Sequence, residues 1–235
     1  MIMTDLHTHI LPDIDDGAPD IETSRRMLEA MYKSGVRTAV CTPHFSYTNT
    51  SPEDFLNKRA VRAAELKNVA ESIGVKVLLG CELKLSSRVL HLDSIKEFCI
   101  GNTRNILIEM PFEKKWEESS FDDLANLSDY YNVTPVIAHV ERYHPVIKSI
   151  KIAEKLIELG AVLQLDASSL FEKDYSKTAK KLLKNDMITV VASDAHNTDT
   201  RPPEMLVKAY NEIERLCGRQ TVLEFMENAD LICEA

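Results

Sequence analysis

The sequence is short of the features that mark several large protein classes. Its five cysteines (Cys41, Cys81, Cys99, Cys217 and Cys233) form an odd set with no C-x-x-C pair. That argues against a disulfide scaffold or a zinc ribbon. No apolar run approaches about 18 residues, and Met1–Asp5 has no basic segment leading into an apolar one. Neither a membrane span nor a signal peptide is expected. Basic charge is scarce, with 28 Lys and Arg against 37 Asp and Glu, for a formal net charge of −9. Binding to nucleic acid or to an anionic membrane needs clustered Lys and Arg, so neither partner is expected, while an acidic chain suits cations. No Gly/Ser linker, low-complexity tract or sequence repeat divides the 235 residues. The length suits one unit, such as a barrel of about 200–250 residues, with room for a core that needs no covalent staples. One domain over residues 1–235 and a cytoplasmic location are the expectations.

Seven short runs read as strands: Ile2–Leu6, Arg37–Cys41, Lys76–Gly80, Asn105–Glu109, Thr134–Ala138, Val162–Asp166 and Ile188–Ala192. Most are nearly continuous Val, Ile and Leu, as for parallel strands covered on both faces. Between them the apolar spacing predicts helices over Ile21–Ser34, 51–74, Val146–Leu159, Tyr175–Leu183, Pro203–Cys217 and Thr221–Met226. Asp20 and Ser51 stand as N-caps and Gly35 as a stop signal. The alternation means an α/β protein. A closed barrel and an open doubly wound sheet both fit it.

The residues just beyond each strand carry the chemistry. His7, His9 and Asp16 come after the first, His44 after the second and Glu82 after the third. Glu109 ends the fourth, His139, Glu141 and Arg142 come after the fifth, and Asp194 and His196 after the seventh. In a barrel all these ends meet on the face where active sites are built. His7-Thr8-His9 places two imidazoles on one side of an extended chain; alone, such a pair is a weak sign, and two hydrogen-bonding histidines would explain it. Five of the seven histidines standing just after strands make a stronger one. His91 and His144 read as structural or solvent-exposed, Cys41 and Cys81 as small apolar packing residues, and Gln164 and Asp166 of the sixth strand not as ligands.

The candidate metal ligands are therefore His7, His9, Asp16, His44, Glu82, Glu109, His139, Asp194 and His196. Nine ligands exceed what one ion uses, so two or three ions sharing carboxylates are expected. Three divalent ions would move the formal charge from −9 to −3. Mixed nitrogen and oxygen ligands suit Mn, Fe, Zn or Co better than Mg or Ca. Clustered metals point to hydrolysis, and phosphate esters favour it because their charge must be balanced. Arg142 and Arg201 are placed to bind phosphate oxygens bidentately. Other templates fail: no Cys is followed six residues on by Arg, and the G-x-S-x-G, Walker A and G-x-G-x-x-G patterns are missing.

These motifs together resemble the PHP (polymerase and histidinol phosphatase) superfamily. More closely they resemble the CpsB/CapC family of bacterial metal-dependent protein-tyrosine phosphatases from capsule and exopolysaccharide operons. The match runs through His7-Thr8-His9-Ile10-Leu11-Pro12 with Ile14-Asp15-Asp16-Gly17, Cys41-Thr42-Pro43-His44, Gly80-Cys81-Glu82-Leu83 and Ile106-Leu107-Ile108-Glu109-Met110-Pro111-Phe112. It continues through His139-Val140-Glu141-Arg142-Tyr143 and Ser193-Asp194-Ala195-His196-Asn197 with Arg201-Pro202-Pro203. The resemblance implies a distorted seven-stranded (β/α) TIM-like barrel with a trinuclear site, usually treated as manganese-dependent. It implies one ion on His7, His9, Glu82 and Asp194, a second on Glu82, Glu109 and His139, and a third on Asp16, His44 and His196. Arg142 and Arg201 would position the phosphate and a metal-bound hydroxide would attack phosphorus in line, without a phosphoenzyme. The implied substrate is phosphotyrosine on a cognate bacterial tyrosine kinase. Asp13 replaces a frequent Gly and Val140 a frequent Pro; a charge at Asp13 facing the mouth would weaken phosphate binding. A small phosphate monoester such as a histidinol-phosphate-like metabolite, an amidohydrolase-type barrel and a non-catalytic kinase-docking regulator are the competing readings.

Overall fold

The structure is a computed structural model and describes residues 2–234. Nine strands are named: β1 (Met3–Thr8), β2 (Val36–Cys41), β3 (His44–Phe45), β4 (Lys76–Leu79), β5 (Glu82–Lys84), β6 (Asn105–Glu109), β7 (Thr134–Ile137), β8 (Val162–Asp166) and β9 (Val190–Ala192). Every pairing between them is parallel, in the orders β1-β2-β4 and β3-β5-β6-β7-β8-β9. The seven expected runs each carry a strand. The two further strands, β3 and β5, continue β2 and β4 beyond short interruptions. Pro43 has no N–H to give the ladder, and the Gly80 carbonyl is drawn aside by Arg59 Nη1 at 2.7 Å. Register survives the interruption, because Glu82 N still donates to Pro43 O (3.1 Å) and His44 lies beside Glu82. The sheet curls until its ends meet. Asp194 N donates to His7 O (3.0 Å) and His9 N to Ala195 O (2.9 Å).

Alternate residues of the strands build two cores, as the two-residue period requires. Ala39, Ile106, Ile108, Ile137 and Val191 face outward into the larger cluster under the helices. Val40, Leu107, Val136 and Val190 point inward and form a second cluster with Ala229 and Ile232. All of these but Ile232 are at most a few per cent exposed, and burying each Val, Leu or Ile contributes about 1.5–3 kcal/mol.

The helices are α1 (Ile21–Ser34), α2 (Pro52–Ile73), α3 (Glu118–Tyr131), α4 (His144–Lys148), α5 (Lys151–Glu158), α6 (Ser176–Lys184), α7 (Met205–Cys217) and α8 (Arg219–Cys233). Asp20 caps α1 through Thr23 N, and Gly35 ends it at φ 96°, a left-handed turn that glycine adopts without strain. Ser51 caps α2 through Asp54 N. Three expectations need correction. The helix expected over Val146–Leu159 breaks at Ser149, whose backbone is extended. The final helix runs to Cys233 rather than Met226, held by buried Ala229 and Ile232. No helix was expected where α3 lies; its N-cap position is Glu117, which makes no capping bond.

The length of α8 matters for the site. Thr4 Oγ1 donates to Asp230, Asn105 Nδ2 to Ile232 O, and Asn228 Nδ2 to Thr189 O. Those partners sit at or near the starts of β1, β6 and β9. The helix thus closes the N-terminal end of the curled sheet, and the C-terminal end is left for chemistry. Among the described residues no helix is long and apolar enough to cross a membrane.

Candidate metal centre

All nine expected ligand residues gather at that C-terminal end. Three sets have donor atoms within 4.8 Å of one another: His7, His9, Glu82 and Asp194; His9, Asp16, His44 and His196; and His44, Glu82 and Glu109. Glu82 is the hub. Its Oε2 lies 3.2 Å from His7 Nε2, 3.4 Å from His9 Nε2 and 3.0 Å from His44 Nδ1, while Oε1 lies 2.7 Å from His139 Nε2. His139 enters no three-residue set and joins only through Glu82; the third set holds His44 where the resemblance implied His139. Asp16, an exposed loop residue, brings Oδ1 to 3.3 Å from His44 Nε2 and 3.5 Å from His196 Nε2.

Local backbone geometry puts these groups in place. His139 and Asp194 leave β7 and β9 with φ of 33° and 51°, left-handed values unusual for residues with a Cβ. Such strain costs about 1–3 kcal/mol each and concentrates at functional sites. Gly17 lets the loop of residues 13–17 lie on β1: a Cβ there would stand 2.2 Å from His9 O and 2.5 Å from His9 Cβ.

Two residues not counted as ligands orient the ligands. Gln164 is fully buried. The backbone N–H of His139 can only donate, so the side-chain atom it meets at 2.9 Å is the amide oxygen. The same Oε1 lies 3.1 Å from His7 Nδ1, which must therefore carry its hydrogen and leave Nε2 with a lone pair. Asp15 does the same for His9: its Oδ2 accepts from His9 Nδ1 (2.7 Å) and from His44 N (3.0 Å). Of the acids in this turn, the sequence had singled out Asp16 alone. Support of this kind sustains about 10–100-fold in metal affinity. Gln164→Leu should lower divalent-metal affinity by that factor in calorimetric titration and leave a folded chain.

The donor set fits cations. His7 Nε2 and His9 Nε2 lie 3.2 Å apart, so two N–H groups there would repel. Asp194 Oδ1 and His196 Nε2 are buried with no hydrogen-bond partner. A divalent ion would satisfy these atoms. In the chain alone, protons take that part. Burial opposes a charge on His9, but Asp15, Asp194 and Glu82 outweigh it and hold the imidazole well above its usual pKa. The same contest, won by Asp16 and Glu82, brings His44 up to about 10. Burial would raise Glu82 and Asp194, yet His7 above all holds both well below the carboxylate range. Burial lowers His139 and His196.

Arg142 and Arg201 stand beside the cluster, both on Asp194. Arg142 Nη1 is 2.9 Å from Asp194 Oδ2, and Arg201 Nη2 donates to the same oxygen. Behind Arg142 lies a buried acid pair. Burial and the neighbouring Asp166 charge push Glu141 up to about 8, and burial with the Asp194 charge pushes Asp166 up to about 7. Arg62 pairs with Asp13, so the charge that would have opposed phosphate is offset. His144 bonds to Lys114 O (2.8 Å) outside the cluster, and His91 is exposed. Cys41 and Cys81 are buried and their thiols are pushed up by burial.

Residues 3–234 match the family described as capsular polysaccharide synthesis, CpsB/CapC. The chain belongs to the CpsB/CapC family. Among its relatives, tyrosine-protein phosphatase CpsB of Streptococcus agalactiae is 32% identical over 98% of both chains. Tyrosine-protein phosphatase YwqE of Bacillus subtilis is 33% identical over 98% of this chain and 91% of its own. A crystal structure from work on YwqE of Bacillus subtilis and CpsB of Streptococcus pneumoniae, described as unique metal-dependent tyrosine phosphatases, superposes with a TM-score of 0.84. It is 31% identical and covers 98% of this chain and 94% of that one. A phosphotriesterase homology protein from Escherichia coli, at 11% identity and a TM-score of 0.64, shares the fold and covers 99% and 98% of the two chains.

Proposed function

We propose that this chain is a metal-dependent protein-tyrosine phosphatase, one catalytic unit over residues 1–235, acting in the cytoplasm. Its substrate would be phosphotyrosine on a bacterial tyrosine kinase that governs capsular or exopolysaccharide synthesis. The strand line is read as a distorted seven-position barrel in which β2 with β3, and β4 with β5, each count once. The observation that carries the reading is Glu82: one buried carboxylate meeting four imidazoles within 3.4 Å, in one donor set with the Asp194 that two arginines bind.

His7, His9, Glu82 and Asp194 would hold one divalent ion, Asp16, His44 and His196 another, and Glu109 and His139 would share Glu82 around a third. Manganese is the metal proposed, with Fe, Zn or Co able to use the same donors. Such ions supply positive charge against phosphoryl oxygens and acidify water enough to serve as a nucleophile near neutral pH. The protein supplies position. Gln164 and Asp15 keep the Nε2 lone pairs of His7 and His9 facing the centre. Arg142, about a quarter exposed and bound to Asp194 through Nη1, would turn its remaining guanidinium N–H toward a phosphoryl oxygen, and Arg201 offers a second fork. A cleft of about 590 Å³ lined by Asp16, His44, Lys58, Lys84 and Glu109 opens beside the cluster and gives the substrate a way in. A tyrosyl leaving group, with a phenol pKa of about 10, departs without the full protonation that an alkoxide needs.

The test is direct. Purified chain with Mn²⁺ should release phosphate from a phosphotyrosine peptide, and a chelator should abolish release until metal is restored. Absence of turnover with Mn, Co, Fe(II) or Zn between about pH 5 and pH 9 would overturn the reading.

A further inference from the structure

One exposed aromatic side chain lies against the candidate site. Met110-Pro111-Phe112 follows Glu109 at the end of β6, and the backbone just ahead of the ring is held at two points. Met110 N donates to Tyr143 Oη (2.9 Å), and Trp116 Nε1 donates to Pro111 O (2.7 Å). Phe112 is nevertheless 54% exposed. Its ring stacks on His139, with centroids 5.6 Å apart and planes inclined at 29°, and meets Tyr143 at 5.0 Å. His139 is the imidazole 2.7 Å from Glu82, and Arg142 follows three residues on. Among the described residues, the other large exposed apolar side chains sit on helices or at Ile2, with Phe171 in a loop the one exception. A single exposed hydrophobe needs no explanation on an outer helix. A phenyl ring fixed by a held backbone over a candidate ligand is different, because one of its faces is already packed and part of its surface is offered to solvent.

We propose that Phe112 is a specificity-determining residue: it packs against the aromatic ring of an aryl phosphate whose phosphoryl group sits between the cluster and Arg142. The inference rests on the phosphatase reading and assigns the residue that separates its aromatic esters from alkyl ones. Offset or edge-on ring contact of this kind adds to the area buried, and it is made only with substrates whose ester carbon belongs to a ring. Alkyl phosphates and free phosphate would feel the metals and arginines but not Phe112.

The experiment uses the Mn²⁺-loaded full chain and three probes: phenylphosphonate, methylphosphonate and inorganic phosphate. Binding is read by calorimetry, and kcat/KM on a phosphotyrosine peptide is read beside it. Wild type should bind phenylphosphonate more tightly than methylphosphonate. Phe112→Ala should weaken phenylphosphonate by about 10-fold and lower kcat/KM on the peptide similarly, with inorganic phosphate affinity and metal stoichiometry held. Phe112→Tyr should restore the aryl preference, and Phe112→Leu should not. Equal binding of the two phosphonates by wild type, or an unchanged ratio in Phe112→Ala, overturns the inference. So does a parallel loss of all three probes, since that reports a structural role at His139. Failure of the phosphatase reading looks different: wild type would then bind none of the probes and hydrolyse nothing.

Discussion

Replacing Glu82 by Gln should stop turnover, lowering kcat by at least about 1,000-fold, or about 4 kcal/mol in the barrier. The substitution keeps size and shape, so the loss comes from charge and hydrogen-bond polarity. Glu82 is buried, belongs to two of the three donor sets, and meets His7, His9, His44 and His139. A carboxylate only accepts; an amide would turn an NH₂ toward lone pairs that must face a cation. It would also remove the anion that two donor sets share. Elemental analysis of protein purified without chelator should show fewer ions per chain in Glu82→Gln than in wild type. A variant that kept full metal content and activity within about 10-fold, a barrier change near 1.4 kcal/mol, would remove Glu82 from the centre of the scheme.

Much of this arrangement was legible in the chain because parallel strands do two things at once. They announce themselves as unbroken apolar runs, and they deliver the residues just beyond them to one end. His7, His44, Glu82, His139 and Asp194 could therefore be grouped without coordinates, although 187 positions separate the first from the last. The orienting residues were hidden for a related reason. Gln164 lies within β8, where only the inward or outward sense of its side chain gives it a role, and the apolar run around it does not state that sense. Asp15 and Asp16 are adjacent acids in one turn. The close approach of Gly17 to His9 decides that Asp15 backs the imidazole while Asp16 reaches His44 and His196. The neutralisation of Asp13 depends on Arg62 in a helix 49 residues away. The helix α3 lacked a capping side chain, and α8 ran past its expected end because two further residues found the inner core. For Asp13 and for α8 a contact distant in sequence outweighed the local signal.

Arg142→Ala should lower kcat/KM on phosphotyrosine by about 100–1,000-fold while leaving the metal content at the wild-type value. Arg142 touches Asp194 through one guanidinium nitrogen and belongs to none of the donor sets. Its removal takes charge from the phosphate without taking a ligand from the ions. The loss should appear in kcat as well as KM, because charge on the phosphoryl oxygens must be balanced through the transition state. Arg142→Lys should recover only part of it, since one ammonium cannot reproduce a planar fork that reaches Asp194 and a phosphoryl oxygen together. Stability is a separate matter. Arg142 also faces Asp166 at 3.4 Å, and without the guanidinium that buried acid, already pushed up to about 7, moves further up and takes a proton. Neutralising one carboxyl is cheaper than leaving it charged in the interior, so the fold should survive near neutral pH. Kinetics that stayed within about threefold of wild type, under 1 kcal/mol in the barrier, would place the phosphate elsewhere on the rim and leave Arg142 as a partner of Asp194 alone.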